Sequence, residues 1–307
     1  MRGWKINLWT TLALVLCTSM AAQAADADVA SRITAAAAGD GAGYLLERDA
    51  LVADGADVLP ALTAVAENAA WREAAAAGAV IGWIEQAEAY ASFQDQTPRA
   101  TASGHLRYGP PHEPRGADLV PLLVEQLLWA EADAGRRTAA ADLLQRKRDA
   151  RATLPLAWTL REDPSDTVRQ AAAQALERAE DPAATGVLIE ALPVIESGAV
   201  REAVASALSW RKDAEAVPAL VALLTGDEHD GCRATAAQGL GWIGDTRALA
   251  TLQTALGSDP TAEVRQHAAL ALGRLGGDEA REALEGAIET DADAEVVRLA
   301  THALGRL

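Results

Sequence analysis

The residue types that most often do chemistry are sparse in this chain and poorly spaced for it. Two cysteines and five histidines occur in 307 residues. Cys232 falls in a column otherwise held by Val168, Val200, Val264 and Val296, so its expected role is a small buried hydrophobe rather than a thiolate nucleophile. His112, Glu113 and Asp118 have the side chains of a metal trio. No spacing of the H-E-x-x-H or C-x-x-C kind accompanies them, and Asp118 is equally placed to cap the helix that follows it. His267 and His302 stand in columns of Ala, Thr, Gln, Ser or Leu with no recurring acidic partner, and read as surface or edge residues. No glycine-rich phosphate loop follows a strand, and there is no nucleophile elbow. From the residues alone we assign no catalytic, cofactor-binding or metal-ligating group, and no cofactor.

Side chains suited to contact are easier to find, and they sit on a repeat. From about residue 137 the chain aligns in rows of 32, with Arg137, Arg169, Arg201, Arg233 and Arg265 in one column and Leu144, Leu176, Leu208, Leu240, Leu272 and Leu304 in another. Leu156, Leu188, Leu220, Leu252 and Leu284 make a third column, and Leu160, Leu192, Leu224, Leu256 and Ile288 a fourth. Within a row, Val168, Ala172, Ala175, Leu176 and Ala179 step by three and four, which is one face of a helix. Leu188 and Leu192 mark a second, shorter helix, so each row is a helix pair. Asp149, Asp181, Asp213 and Asp245 precede the second helices, while Asp163, Asp227, Asp259 and Asp291 lie in the turns into the next first helix. Carboxylates there accept orphan amide hydrogens and favour the positive end of the helix dipole.

Two residues beyond the first leucine column, the chain reads Arg146, Arg178, Trp210, Trp242, Arg274 and Arg306. With Leu208 and Leu240 turned inward, a residue two further on is rotated about 200° away from the core. Trp210 and Trp242, flanked by Arg178 and Arg274, are therefore candidate partner-binding residues, since Trp and Arg are enriched at interaction hot spots. The alternative is that both indoles fold onto the following turn as local packing.

The rows resemble HEAT repeats, in particular the bacterial PBS-lyase HEAT-like type. The segment Asp259 to Ile288, DPTAEVRQHAALALGRLGGDEAREALEGAI, carries the D-x-x-x-x-V-R-x-x-A-x-x-A-L-G pattern. The resemblance implies an all-α fold, a right-handed α-solenoid whose second helices line a concave surface and whose Asp and Arg columns bond in a ladder. Physics points the same way, because a lone helix pair cannot bury its apolar face and stacked pairs share one core. In that pattern the Trp210 position usually carries a basic residue, so both tryptophans depart from it. Some members of the type attach or detach bilin pigments, which implies an alternative function: an enzyme holding a small ligand against carboxylates of the concave face. A repeat transfers fold more safely than activity.

Upstream of 118 the register loosens. Val58 to Leu62 and Val120 to Leu123 look like second-helix starts, and Trp71 to Glu88 reads as a long first helix. Residues 91–117 hold Pro98, Pro110, Pro111 and Pro114 among three glycines and are expected to be a long loop, either a binding element or an excursion. Phe93, the only phenylalanine, and Tyr108 lie in it with Tyr90 at its edge and His105 inside, so Phe93 and Tyr108 join the candidate contact residues. The domain plan is a leader at 1–24, irregular helical repeats at 25–117, and regular repeats at 118–307.

Residues 1–24 carry Arg2 and Lys5, an apolar run from Ile6 to Leu16, and Ala22-Gln23-Ala24 at a cleavage site, the marks of a secretory signal peptide cut after Ala24. Cys17 resembles a lipobox cysteine, except that Leu16 is bulky where a small residue is required. Export to the periplasm or beyond is expected, with no integral membrane segment after cleavage. Only Cys232 then remains, so no internal disulfide forms. The formal charge of −17 becomes −19 once Arg2 and Lys5 are removed, and such acidity repels nucleic acid and anionic membranes. The expected function is a noncatalytic scaffold for a protein partner.

Overall fold

The computed structural model describes residues 25–39, 41–87, 98–100, 106–108, 118–129 and 133–307. The leader with Cys17, and Tyr90, Phe93, His105, His112 and Glu113, lie outside the described residues. The chain divides into two compact units, residues 1–136 and 137–307. The second begins where the column of arginines begins.

The second unit is an all-α solenoid. Its first helices, Asp166–Arg178, Gly198–Arg211, Asp230–Ile243, Ala262–Leu275 and Ala294–Leu304, follow Ala134–Lys147 and pack each on the next. The second helices are Thr153–Glu162, Ala183–Ala191, Val217–Gly226, Leu249–Ser258 and Asp278–Thr290. Leucines 176, 208, 240 and 272 of the first helices and 188, 220, 252 and 284 of the second are wholly buried, so every pair contributes to one continuous core. Small residues let the first helices approach closely. A Cβ at Gly241 would lie 2.6 Å from Ala271 Cα, and one at Gly273 2.6 Å from Ala303 Cβ.

The acidic columns do two jobs. Asp149, Asp213 and Asp245 accept the amide hydrogens of Arg151, Glu215 and Arg247 and so open a short 3-10 turn before each second helix. At the other turn the arginines bridge to the aspartates 26 residues on. Arg137 reaches Asp163, Arg201 Asp227, Arg233 Asp259 and Arg265 Asp291, each through two hydrogen bonds of 2.7–3.1 Å. The same carboxylates accept from the amides of Ser165, His229, Thr261 and Asp293, the N-cap residues of the following first helices. One rung is missing. Ile195 occupies the aspartate column, and Arg169 bonds the Leu160 carbonyl and Asp166 instead.

Four first helices end on a positive-φ residue at a fixed place in the row, Arg148, Lys212, Gly244 and Gly276, with φ between 53° and 75°, whereas Asp166–Arg178 and Ala294–Leu304 do not. Glycine adopts that conformation freely, whereas a side chain there is strained by about 1 kcal/mol or more. Lys212→Gly is therefore expected to stabilise the protein by about 0.5–1 kcal/mol, read as a rise in the urea midpoint with an unchanged slope.

The first unit contains helices at 25–38, Gly41–Asp54, Leu59–Asn68, Trp71–Glu85 and Val120–Trp129. Pro60 sits in the first turn of Leu59–Asn68, where its missing amide costs nothing. The loop expected at 91–117 contains a short antiparallel hairpin that pairs Pro98–Ala100 with Leu106–Tyr108. Proline is tolerated there because it opens the strand. Among the described residues no helix is long and apolar enough to cross a membrane.

Candidate interaction surface

Trp210 and Trp242 lie near the C-terminal ends of adjacent first helices, and their rings meet edge to face, with centroids 5.2 Å apart and planes at 63°. Trp210 is 56% exposed, whereas Trp242 is half-buried. The pair is thus an anchored indole with a second, more exposed indole leaning on it. Arg178 and Arg274, one repeat to either side, are both exposed. Arg178 lies 3.6 Å from Glu177, and the Arg274 guanidinium sits beside Gly241, 3.5 Å from where a Cβ there would stand. One turn earlier the same face carries Ser206, Gln238 and Leu270, which are uncharged and half-buried. Tyr108 ends the second hairpin strand opposite Pro98.

Two residues on this edge work for the fold in ways their types do not announce. Arg211, next to Trp210, donates to the Leu176, Ala179 and Asp181 carbonyls and to Thr185 Oγ1, closing the C-terminal end of the preceding first helix. His229 replaces the Ser165, Ser197, Thr261 or Asp293 of other rows at the helix N-cap, and its Nδ1 accepts the Cys232 amide hydrogen.

Cys232 is fully buried, its Sγ donates to the Gly198 carbonyl at 3.1 Å, and burial pushes its thiol up to about 12. It packs like the valines of its column. His302 is exposed and His267 half-buried, with burial holding the His267 imidazole below its usual range. Asp118 accepts the Val120 amide hydrogen as a cap for its helix.

The second helices frame two grooves at successive junctions, of about 510 and 470 Å³, lined by residues 32 apart: Asp227, Arg233, Thr254 and Ser258 in one match Asp259, Arg265, Gly286 and Thr290 in the next. Most of their polar groups are already engaged. Thr225, Thr254, Ser258 and Thr290 donate to carbonyls of their own helices, and the carboxylates are held by the ladder arginines. A ligand entering there meets little that is free to recognise it.

The first unit holds a cluster that sequence reading did not find. Glu125, 3% exposed, accepts hydrogen bonds from Tyr44 Oη (3.0 Å), Trp83 Nε1 (3.0 Å) and Arg48 (2.6 Å). Tyr44 stacks on Trp129 at 4.1 Å and 7°, and the Arg48 guanidinium lies 5.0 Å above the Trp83 ring. Burial pushes the Glu125 carboxyl above its usual range while the Arg48 charge opposes the shift. Burial, followed by the charge of Glu125, drives the Tyr44 hydroxyl well above its own. With Arg48 filling the acidic and aromatic recess, the cluster clamps three helices together. Its only sequence signal is one acid, beside Gln126, in the mostly apolar run VPLLVEQLLW.

No curated protein matches the chain significantly. Among solved structures, it is similar to the complex of CpcE and CpcF of phycocyanin lyase from Nostoc sp. PCC7120, with 28% identity over 64% of this chain and 80% of that one at a TM-score of 0.46. It is also similar to human deoxyhypusine hydroxylase in complex with glycerol, with 18% identity, 94% and 98% coverage and a TM-score of 0.35. YibA of Escherichia coli gives 17% identity, full coverage of both chains and a TM-score of 0.45. The family model for HEAT repeats matches residues 153–240 and 222–305, the stretch in which paired helices, the arginine–aspartate ladder and the shared core recur, so the chain is a HEAT-repeat protein.

Proposed function

We propose that the protein is an exported, noncatalytic scaffold that binds a protein partner on its first-helix face. The observation that carries this reading is Trp210: a large aromatic ring more than half exposed, backed by Trp242 and held on helices whose spacing the ladder and the close glycine contacts make rigid. Rigid exposed indoles contribute much contact area at little entropic cost. Replacing Trp210 with Arg restores what neighbouring rows carry and is expected to leave melting nearly unchanged while weakening partner binding by about 2 kcal/mol or more. Trp242→Arg is expected to cost about 1–3 kcal/mol of stability as well, because part of its ring is packed. Melting and affinity capture from the native envelope fraction, measured on both variants, decide the point. Unchanged capture with Trp210→Arg rules out this face.

Export rests on Arg2, Lys5, the Ile6–Leu16 run and Ala22-Gln23-Ala24. The mature chain is expected to begin at Ala25 and to fractionate outside the cytoplasm. N-terminal sequencing that returns Met1 from a cytosolic fraction overturns the export half of the proposal.

A further inference from the structure

Resting on the scaffold reading and on the same ridge, we infer that the partner presents an extended acidic segment, with apolar side chains on Trp210 and Trp242 and carboxylates on Arg178 and Arg274. Order along the solenoid supplies the first argument. Arg178, Trp210, Trp242 and Arg274 occupy one position in four successive rows, so they stand in line across four neighbouring first helices. Packed helices are about 8–10 Å apart, and an extended chain rises about 3.3 Å per residue, so one row corresponds to roughly three residues of ligand. A segment of about ten residues then reaches from one arginine to the other, with its two apolar positions about three residues apart over the indoles.

Charge supplies the second argument. The column continues as Arg146 before Arg178 and as Arg306 after Arg274, and all four arginines are exposed. Each lies at or near the C-terminal end of a first helix, and Lys212 adds a further exposed cation between them. Several nearby carboxylates are already engaged: Asp149 by Arg151, Asp245 by Arg247, and Asp213 by the Glu215 amide. Glu177, beside Arg178, and Glu180, two residues on, oppose an incoming acid, but Glu177 is largely shielded and Glu180 lies 3.6 Å from Arg148. The mature chain's −19, the full chain's −17 less Arg2 and Lys5, does not prevent docking, since charges more than about 8 Å away are screened at physiological salt and the local arginines dominate the contact. Arginine also suits the task by its fork, which takes a carboxylate through two hydrogen bonds.

The test uses synthetic peptides of about ten residues with leucine at two interior positions three apart and serine or glycine elsewhere, carrying glutamate, glutamine or lysine at both ends. Fluorescence anisotropy with the mature protein is expected to rank glutamate first, about tenfold tighter than glutamine, with lysine weakest. Arg178→Glu with Arg274→Glu, at two exposed positions, is expected to keep the melting temperature and to reverse the order of the glutamate and lysine peptides. Equal binding of the three peptides, or no binding by any, overturns the inference. Capture of the native partner separates this failure from that of the reading beneath it. Capture that depends on Trp210 but not on the two arginines removes the acidic segment alone, whereas capture independent of Trp210 removes the docking face itself.

Discussion

Truncating Arg201 to alanine is expected to lower the unfolding free energy of the second unit by about 3 kcal/mol. The guanidinium is 13% exposed and its partner Asp227 4%, so the pair is shielded from water on both sides. Arg201 makes two bonds to Asp227 and two more to the Ile195 and Glu196 carbonyls, joining one row to the next. Alanine leaves the carboxylate shielded and half-satisfied, which is where the loss arises. A double-mutant cycle with Asp227→Ala, followed by urea unfolding, should show a coupling of at least about 1 kcal/mol. Additive losses, or a single-mutant loss under about 1 kcal/mol, would place the rung among ordinary surface pairs.

The ladder also sets the acid limit of the fold. At Asp227, burial alone would raise the carboxyl, but Arg201 and the His229 amide outweigh it and the group titrates below its usual range. At Asp291 the bonds from Arg265 lead, with the same result. A carboxyl whose folded pKa is depressed binds fewer protons folded than unfolded. Its contribution is therefore complete above the ordinary aspartate value near 4 and is lost as pH falls below it. The solenoid is expected to lose some stability, read as melting temperature, below about pH 6.5, where unfolded His267 takes up a proton more readily than the folded imidazole, and to lose more below about pH 4, and Arg265→Ala should flatten the lower step alone.

The helix pairs were legible because they recur in every row, and the ladder, which the resemblance implied, because its two columns recur in all rows but one. A column of arginine 26 residues before a column of aspartate announces itself by recurrence, and even the missing rung shows as Ile195 in the acidic column. Single-row events were not legible. Trp210 and Trp242 occupy equivalent positions, yet one is exposed and one half-buried. Arg211 reads as a surface base, while most of its partners are backbone carbonyls of the preceding row, which leave no mark in the residue types. The hairpin at 98–108 depends on pairing between short strands without strong alternation, the weakest of local signals.

Glu125 is the sharpest case of a site hidden from sequence, and its removal is expected to have the largest effect of all. Glu125→Leu deletes the acceptor for Tyr44, Trp83 and Arg48 together, leaving a fully buried hydroxyl, a part-buried indole and a guanidinium only 14% exposed. Arg48 keeps its two bonds to the exposed Asp49 but loses its shielded partner, and a cation only partly compensated, with the Tyr44 and Trp83 donors unpaired beside it, costs about 3–5 kcal/mol, more than the added apolar contact of leucine returns. Glu125→Gln keeps an acceptor oxygen and the shape but loses the charge facing Arg48, so its cost should fall between that of leucine and the wild type. Arg48→Met together with Glu125→Leu should recover much of the loss, because a buried pair replaced whole by apolar side chains is often neutral. Amide exchange in helices Gly41–Asp54, Trp71–Glu85 and Val120–Trp129, the three elements the cluster joins, is the direct measurement. Protection in those helices that survives Glu125→Leu unchanged would mean the carboxylate holds nothing together, and the clamp would have to be abandoned.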